Sequence, residues 1–273
     1  GMAMLLITHD LGVVARVAHH VGVMYAGQVV ETGSRAAFFA APLHPYSRKL
    51  FAALPDASKR GSALDAPVGS VPLPDRHFAG CRGAERCPAA FDHCDEEAPG
   101  WHHVGAQAVR CHLYEGVAVP RPLQAAGEGT PRAFTGRAGE AVLEVRELAV
   151  HFPVRKGLLK RTVGQVRAVD GVSLRLVPGR TLALVGESGC GKTTVGKAIL
   201  RLIEPTTGEL RLDGERYDTL PSGALQPLRR AVQMVFQDPF ASLNPRMRVG
   251  EIIEEGLAAL GIGADARARR ARV

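Results

Sequence analysis

Residues 186–194 read GESGCGKTT. The run fits G-x-x-x-x-G-K-[ST], a loop that wraps phosphate groups in its own backbone N–H donors. Its surroundings fit as well. TLALV (181–185) before it is a short apolar run of the kind buried in a parallel sheet. After it, Val195, Ala198, Ile199, Leu202 and Ile203 recur on one helical face until Pro205. Gly186, Gly189 and Gly191 permit backbone angles that aim N–H groups at an anion, and a helix N-terminus adds its positive dipole end. Lys192 supplies a point charge for the β/γ-phosphates, and Thr193 a hydroxyl for Mg²⁺. The expected nucleotide contacts are Gly186, Glu187, Ser188, Gly189, Cys190, Gly191, Lys192, Thr193 and Thr194, with Cys190 read as a small residue filling the loop.

Around this loop, VLEVRELAVHF (142–152) and GVSLRLV (171–177) read as strands, and ELRLDG (209–214) as a strand and turn. A further strand is expected over Val232–Phe236, running into Gln237 and a proline-broken loop. At the other end, MLLIT (4–8) is a short strand. Helical spacing of apolar residues follows at 11, 14, 17, 18 and 21. VGVMYAGQVVETG (21–33) reads as two strands about a turn at Ala26-Gly27. Ser34 is placed to cap a short helix, and Pro45 opens another that Pro55 closes. From Pro55 to about Gly116 no period holds, which predicts an irregular segment. Residues 117–140, rich in Pro, Gly and Ala, read as a linker.

The irregular segment holds Cys81, Cys87, Cys94 and Cys111, a C-x5-C-x6-C-x16-C set. The fifth cysteine is Cys190. Four thiols in a segment without periodicity point to a metal site. Structural zinc usually uses tight C-x2-C chelates, absent here, whereas wider loops suit a [4Fe–4S] cluster, and Cys87-Pro88 fits ferredoxin-type ligation. An iron–sulfur cluster is favoured over zinc, with free buried thiols as the alternative. His93, His102, His103 and His112 nearby are read as surface or structural histidines.

Composition narrows the class. The chain has 273 residues, 46% hydrophobic and 22% charged, enough for one large or two medium domains. No apolar run approaches the ~18 residues a membrane span needs. The net charge is +7, with 28 Arg against 6 Lys, but the basic residues cluster only in ARARRARV (266–273). Scattered arginine is not a nucleic-acid footprint, so no nucleic-acid partner is expected.

At VQMVFQDPFASLNPRM (232–247), with Gln237 45 residues beyond Lys192, the sequence resembles the nucleotide-binding domain of ABC transporters. PFASLNPRM is similar to the ATPases of bacterial oligopeptide, dipeptide and nickel importers. LLITHD (5–10) resembles that domain's switch-histidine segment, followed here, as in the family, by GQVVETG (27–33) and HPYSRKL (44–50). The resemblance implies an α/β fold: a P-loop NTPase core, incomplete, with an antiparallel β subdomain and an irregular Cys-rich extension. It implies ATP and Mg²⁺ as ligands. Gln237 would contact Mg²⁺ and the attacking water, His9 would sense the γ-phosphate, and Phe152 would stack on adenine, with ordinary sheet core as the alternative for Phe152. It also extends to the cysteine set.

Neither an LSGGQ-type signature nor a strand ending in Asp-Glu occurs in the sequence. The resemblance therefore implies a window on a fused twin-ATPase protein. Residues 1–60 would close a first ATPase domain, 61–116 form its Cys-rich extension, 117–140 a linker, and 141–273 open a second ATPase domain. The implied partners are ABC permease subunits in the membrane and the opposing ATPase domain of the same chain. The implied location is cytoplasmic, peripheral on the inner face of the cell membrane, and the fragment alone is expected to be inactive. The rival is an ABC-type DNA-repair ATPase, whose zinc sites favour C-x2-C pairs. In the family core the switch-histidine strand lies parallel beside the phosphate-loop strand, so 4–8 is expected to pair with 181–185.

Overall fold

The computed structural model describes residues 2–53, 71–72, 76, 78–116, 141–156, 161–236 and 243–273, with the backbone alone at 155, 156 and 161. The first segment runs β1 (Met4–Ile7), α1 (Leu11–Val17), β2 (His20–Tyr25), β3 (Gln28–Ser34), α2 (Arg35–Ala40) and α3 (Pro45–Ala52). The cysteine segment carries α4 (His93–Glu96) and the strands β4 (Trp101–Val104) and β5 (Gln107–Arg110). Then come β6 (Leu143–Lys156), β7 (Arg161–Leu176), β8 (Thr181–Val185), α5 (Lys192–Ile199), β9 (Thr207–Leu212), β10 (Glu215–Arg216), α6 (Gln226–Ala231), α7 (Val249–Ala259) and α8 (Ala266–Arg272).

Two sheets organise the molecule. One has six strands in the order β1-β8-β2-β3-β5-β4, and the other is antiparallel, in the order β10-β9-β6-β7. In the first, β8 lies between two parallel neighbours. Met4 to Ile7 pair with Thr181 to Leu184, and His20 to Val23 pair with Leu182 to Val185. The expected pairing of 4–8 with 181–185 is thus present. Side chains alternate across β8. Ala183 and Val185 pack with Leu11, Val14, Val21, Val23 and Phe38 on the face covered by the first helices. Leu184 packs with Met24, Val195, Ala198 and Ile199 and with the apolar face of the antiparallel sheet, through Val145, Leu148 and Val172.

The local signals work where they are short-range. Asp10 and Ser34 cap α1 and α2 by accepting backbone N–H bonds, and Pro45 stands at the first position of α3. Ala26 and Gly27 both take positive φ, 42° and 85°, as the tight hairpin turn between β2 and β3 demands.

Three expectations need correction. The irregular segment contains a hairpin, β4–β5, turned at Gly105 (φ 61°) and paired through β5 onto β3. The helix after the loop ends at Ile199. Arg201 takes φ 52°, and the Leu202 and Ile203 N–H groups fold back onto the Lys197 carbonyl, so Leu202 is 54% exposed. Val232–Phe236 is not a strand: it pairs with no strand of either described sheet, and Val235 is 87% exposed. The linker 117–140, Pro55 and Gln237 lie outside the described residues. Among the described residues, no helix is long and apolar enough to cross a membrane.

Glu31, fully buried on β3, joins the first segment to the hairpin. Its carboxylate accepts the Leu43 N–H (2.9 Å), the His44 N–H (2.8 Å) and the Gln107 amide (3.1 Å). His44 next to it is buried, and its Nδ1 accepts the Tyr46 N–H at 3.0 Å. Glu31→Leu would strand two buried N–H groups and an amide, and should cost about 3–5 kcal/mol in urea unfolding. Burial pushes the His44 imidazole down to about 4 from 6.5, so the unfolded chain binds the proton more tightly. Stability should be fully present above pH 6.5 and fall, by about 3 kcal/mol from this group, as pH drops toward 4. His44→Asn should flatten that part of the pH–stability curve.

Candidate nucleotide site

The loop is shaped by close backbone approach. Gly186, Gly189 and Gly191 have φ of 151°, 83° and 104°. A Cβ on Gly186 would lie 2.2 Å from the Met24 carbonyl oxygen, and one on Gly191 2.1 Å from that of Ala168, so neither position admits a side chain. The loop is threaded between β2 and β7. The Gly27 N–H donates to the Cys190 carbonyl at 3.0 Å, and the Asp170 N–H donates to the Gly27 carbonyl at 2.9 Å. Arg82 braces this crossing: it donates to the Ala26 carbonyl and pairs with Asp170, which also meets His151 Nε2 at 3.1 Å. Burial works against the charge on Asp170, but Arg82 and His151 outweigh it and hold the carboxyl below its usual range.

Lys192 is buried at the start of α5, and its ammonium lies inside the loop. It donates to the Gly186 carbonyl (2.9 Å) and the Glu187 carbonyl (2.7 Å), with Cys190 Sγ at 3.4 Å. The Val195 N–H bonds the Gly191 carbonyl, so the N–H groups of Lys192, Thr193 and Thr194 sit ahead of the first intrahelical bond. Free N–H groups at a helix N-terminus, with a lysine of the same loop beside them, are an arrangement that can hold an anion. Thr193, Ser188 and Gly189 are exposed at the mouth, whereas Cys190 is buried and its thiol is pushed up chiefly by that burial.

Because β1 and β8 are parallel with Ile7 opposite Leu184, His9 and Gly186 leave the sheet at the same end, and His9 is exposed there. Phe152 stands on β6 in the other sheet, opposite Val166 and 40% exposed, so it is not a core residue.

Two residues that reach the loop were not singled out in the sequence. The Tyr46 hydroxyl accepts the Glu187 N–H at 2.9 Å, and burial keeps that phenol protonated. Arg86, beside Cys87, pairs with the Glu187 carboxylate at 3.3 Å and lies over the Tyr25 ring. Both belong to segments remote in sequence, and only their position in HPYSRKL and in the cysteine run marks them.

The four cysteines converge. Cys81, Cys87, Cys94 and Cys111 line one pocket with Tyr25, Tyr46 and Pro88. All four are free. Burial pushes the Cys81 and Cys87 thiols up and that of Cys111 to about 11, and the neighbouring sulfurs add to the effect. Backbone N–H groups oppose it, from Gly83 and Ala84 toward Cys81, Ala89 toward Cys87 and Leu113 toward Cys111. Four sulfurs facing one pocket, with backbone N–H donors beside three of them, are a donor set that fits a thiophilic metal centre.

Comparison with known proteins agrees with this geometry. Residues 169–272 match the model for the ABC transporter family, and residues 30–94 that for the oligopeptide/dipeptide transporter, C-terminal region. The chain is 41% identical over 271 residues to the glutathione import ATP-binding protein GsiA of Salmonella typhimurium, and equally to that of Escherichia coli K12. These alignments cover 98% of this chain, which spans 36% of the length of those relatives. The solved ATP-binding cassette MJ0796, bound to ADP and Pi, aligns over 48% of this chain and 53% of its own at 26% identity, with a TM-score of 0.39, too low to add to the argument. The chain thus carries a segment that matches the ABC transporter family, residues 169–272, and one that matches the oligopeptide/dipeptide transporter C-terminal region, residues 30–94, and over both it is similar to the glutathione import ATP-binding proteins.

Proposed function

We propose that this chain is part of an ATPase that energises a peptide-type importer, with MgATP held by residues 186–194. The observation that carries this is the loop itself, which combines backbone angles that favour glycine, a helix N-terminus and the buried Lys192 ammonium. In this reading Thr193 and Gln237 hold Mg²⁺ and Phe152 stacks on the base of the nucleotide at this loop, with Gln237 near its γ-phosphate, whereas His9 senses the γ-phosphate of the nucleotide held by its own, preceding domain. The protein's part in phosphoryl transfer is positioning and stabilisation of charge. Residues 1–60 and 141–273 belong to two successive ATPase domains, joined by the extension 61–116 and the linker 117–140. The partners are permease subunits, with the protein peripheral on the cytoplasmic face of the membrane. The relatives' name, glutathione import, carries over only as a class: small peptide cargo. No observation favours the DNA-repair reading.

Cys81, Cys87, Cys94 and Cys111 fit a [4Fe–4S] cluster, with zinc as the second reading. When bound, such a centre would supply the positive charge that keeps the four sulfurs as thiolates and would cross-link the extension.

MgATP titrated calorimetrically should bind the chain, and Lys192→Ala should weaken it about 10- to 100-fold. Equal affinity in the variant would show that the loop is not the site. Anaerobic preparations should contain iron and sulfide with brown absorbance, lost on replacing any one of the four cysteines by serine. Stoichiometric zinc without iron would reassign the centre to zinc, and absence of metal would leave four structural thiols.

A further inference from the structure

Next to the cysteines lies a group of side chains with no part in the nucleotide site. His112 is buried on the short 3-10 turn His112–Tyr114, and Glu115 follows it. Residues three apart on such a turn share a face. His112 Nε2 lies 2.8 Å from the Glu97 carbonyl oxygen. A carbonyl only accepts, so Nε2 carries the hydrogen, and in a neutral ring Nδ1 is then a bare lone pair. That lone pair is in hydrogen-bond contact with Glu115 Oε1, which is also only an acceptor as a carboxylate. The contact requires a positive charge between the two atoms.

A proton on His112 would satisfy that pair alone. The other neighbours ask for more. His93, on α4, brings Nε2 to 3.7 Å from Glu115 Oε2, and its ring lies 4.4 Å from that of His112. His102, on β4, points Nε2 toward Glu115 Oε1 at 4.0 Å. That His102 nitrogen is buried and has no hydrogen-bond partner among the described residues. Three imidazoles thus turn toward one carboxylate, and the ligand atoms of His93, His112 and Glu115 all lie within 4.8 Å of one another.

We propose that His93, His112 and Glu115 bind one divalent transition-metal ion of the zinc type, at a site beside the cysteine centre and separate from it. Two imidazoles and a carboxylate are a borderline donor set suited to zinc, and a tetrahedral ion with bonds of ~2.0–2.2 Å needs ligand atoms roughly 3.4 Å apart. Small side-chain rotations reach that spacing, because His93 and Glu115 are both substantially exposed and free to adjust. His112 is oriented in advance by the Glu97 carbonyl, the outer hydrogen bond that fixes the tautomer of a metal-binding histidine. His102, with Nε2 4.0 Å from Glu115 Oε1, places a third nitrogen at the edge of the site. Two of the ligands flank cysteines in sequence, His93 before Cys94 and His112 after Cys111, so the ion would tie α4 to the turn at 112–114 independently of the sulfur ligands.

The test is titration of the full chain with Co²⁺ and Zn²⁺, with total metal and sulfide measured in parallel. The wild-type chain should bind one equivalent more than His93→Gln or Glu115→Gln, both at accessible positions. The extra Co²⁺ should show weak d–d bands without the intense thiolate-to-metal absorption of sulfur ligation. The affinity lost in either variant should exceed the 10- to 100-fold typical of an orienting partner alone. Iron, sulfide and the affinity for MgATP should be unchanged, which separates this site from the cysteine centre and from the nucleotide reading. Unchanged stoichiometry in both variants would overturn the proposal. So would thiolate absorption from the lost equivalent.

Discussion

A strand whose side chains are almost all apolar can be buried only if the N–H and C=O groups on both its edges are paired. Thr181–Val185 meets that condition by taking β1 on one side and β2 on the other, each from a segment more than 150 residues away in sequence. The rest of the molecule is arranged around this ladder. It sets which face of β8 meets α1 and which meets α5. It aligns the C-terminal ends of parallel strands, where a phosphate loop and His9 can emerge together.

The loop inherits its shape from the same packing. With Met24 and Ala168 carbonyls against Gly186 and Gly191, two neighbouring strands define the cradle. Glycine is then required for space as well as for φ. The Lys192 ammonium, held by two carbonyls of its own loop, is preorganised, which lowers the cost of presenting charge to a ligand. Tyr46 and Arg86 touch the same loop from outside through Glu187. Arg86 precedes a cysteine ligand candidate by one residue, so order in the extension and order at the loop share a physical contact.

The extension itself is too poor in apolar residues to hold by packing alone. Its described part relies on polar devices: the Glu31 carboxylate binding across to Gln107, the Tyr114 hydroxyl donating to the Leu43 carbonyl at 2.8 Å, and the convergence of four sulfurs. Small segments of this kind commonly depend on metal for order. The neighbouring histidines extend the same logic with nitrogen and oxygen ligands.

By itself the sequence determined what depends on near neighbours along the chain. The phosphate loop, the caps at Asp10 and Ser34, the hairpin turn at Ala26-Gly27 and the apolar strand 181–185 were all legible, because each is specified within about ten residues. The hairpin at 101–110 was hidden: its alternation is broken by His102-His103, and its pairing partner, β3, lies about 75 residues back. The early end of α5 was hidden in a left-handed Arg201, which no periodicity announces. Convergence of His93, His102, His112 and Glu115 was likewise invisible, since the histidines stand on three different elements. Only tertiary structure could decide these, because a ladder partner, a buried lone pair or a shared carboxylate is a relation between segments, and spacing within one segment carries no information about it.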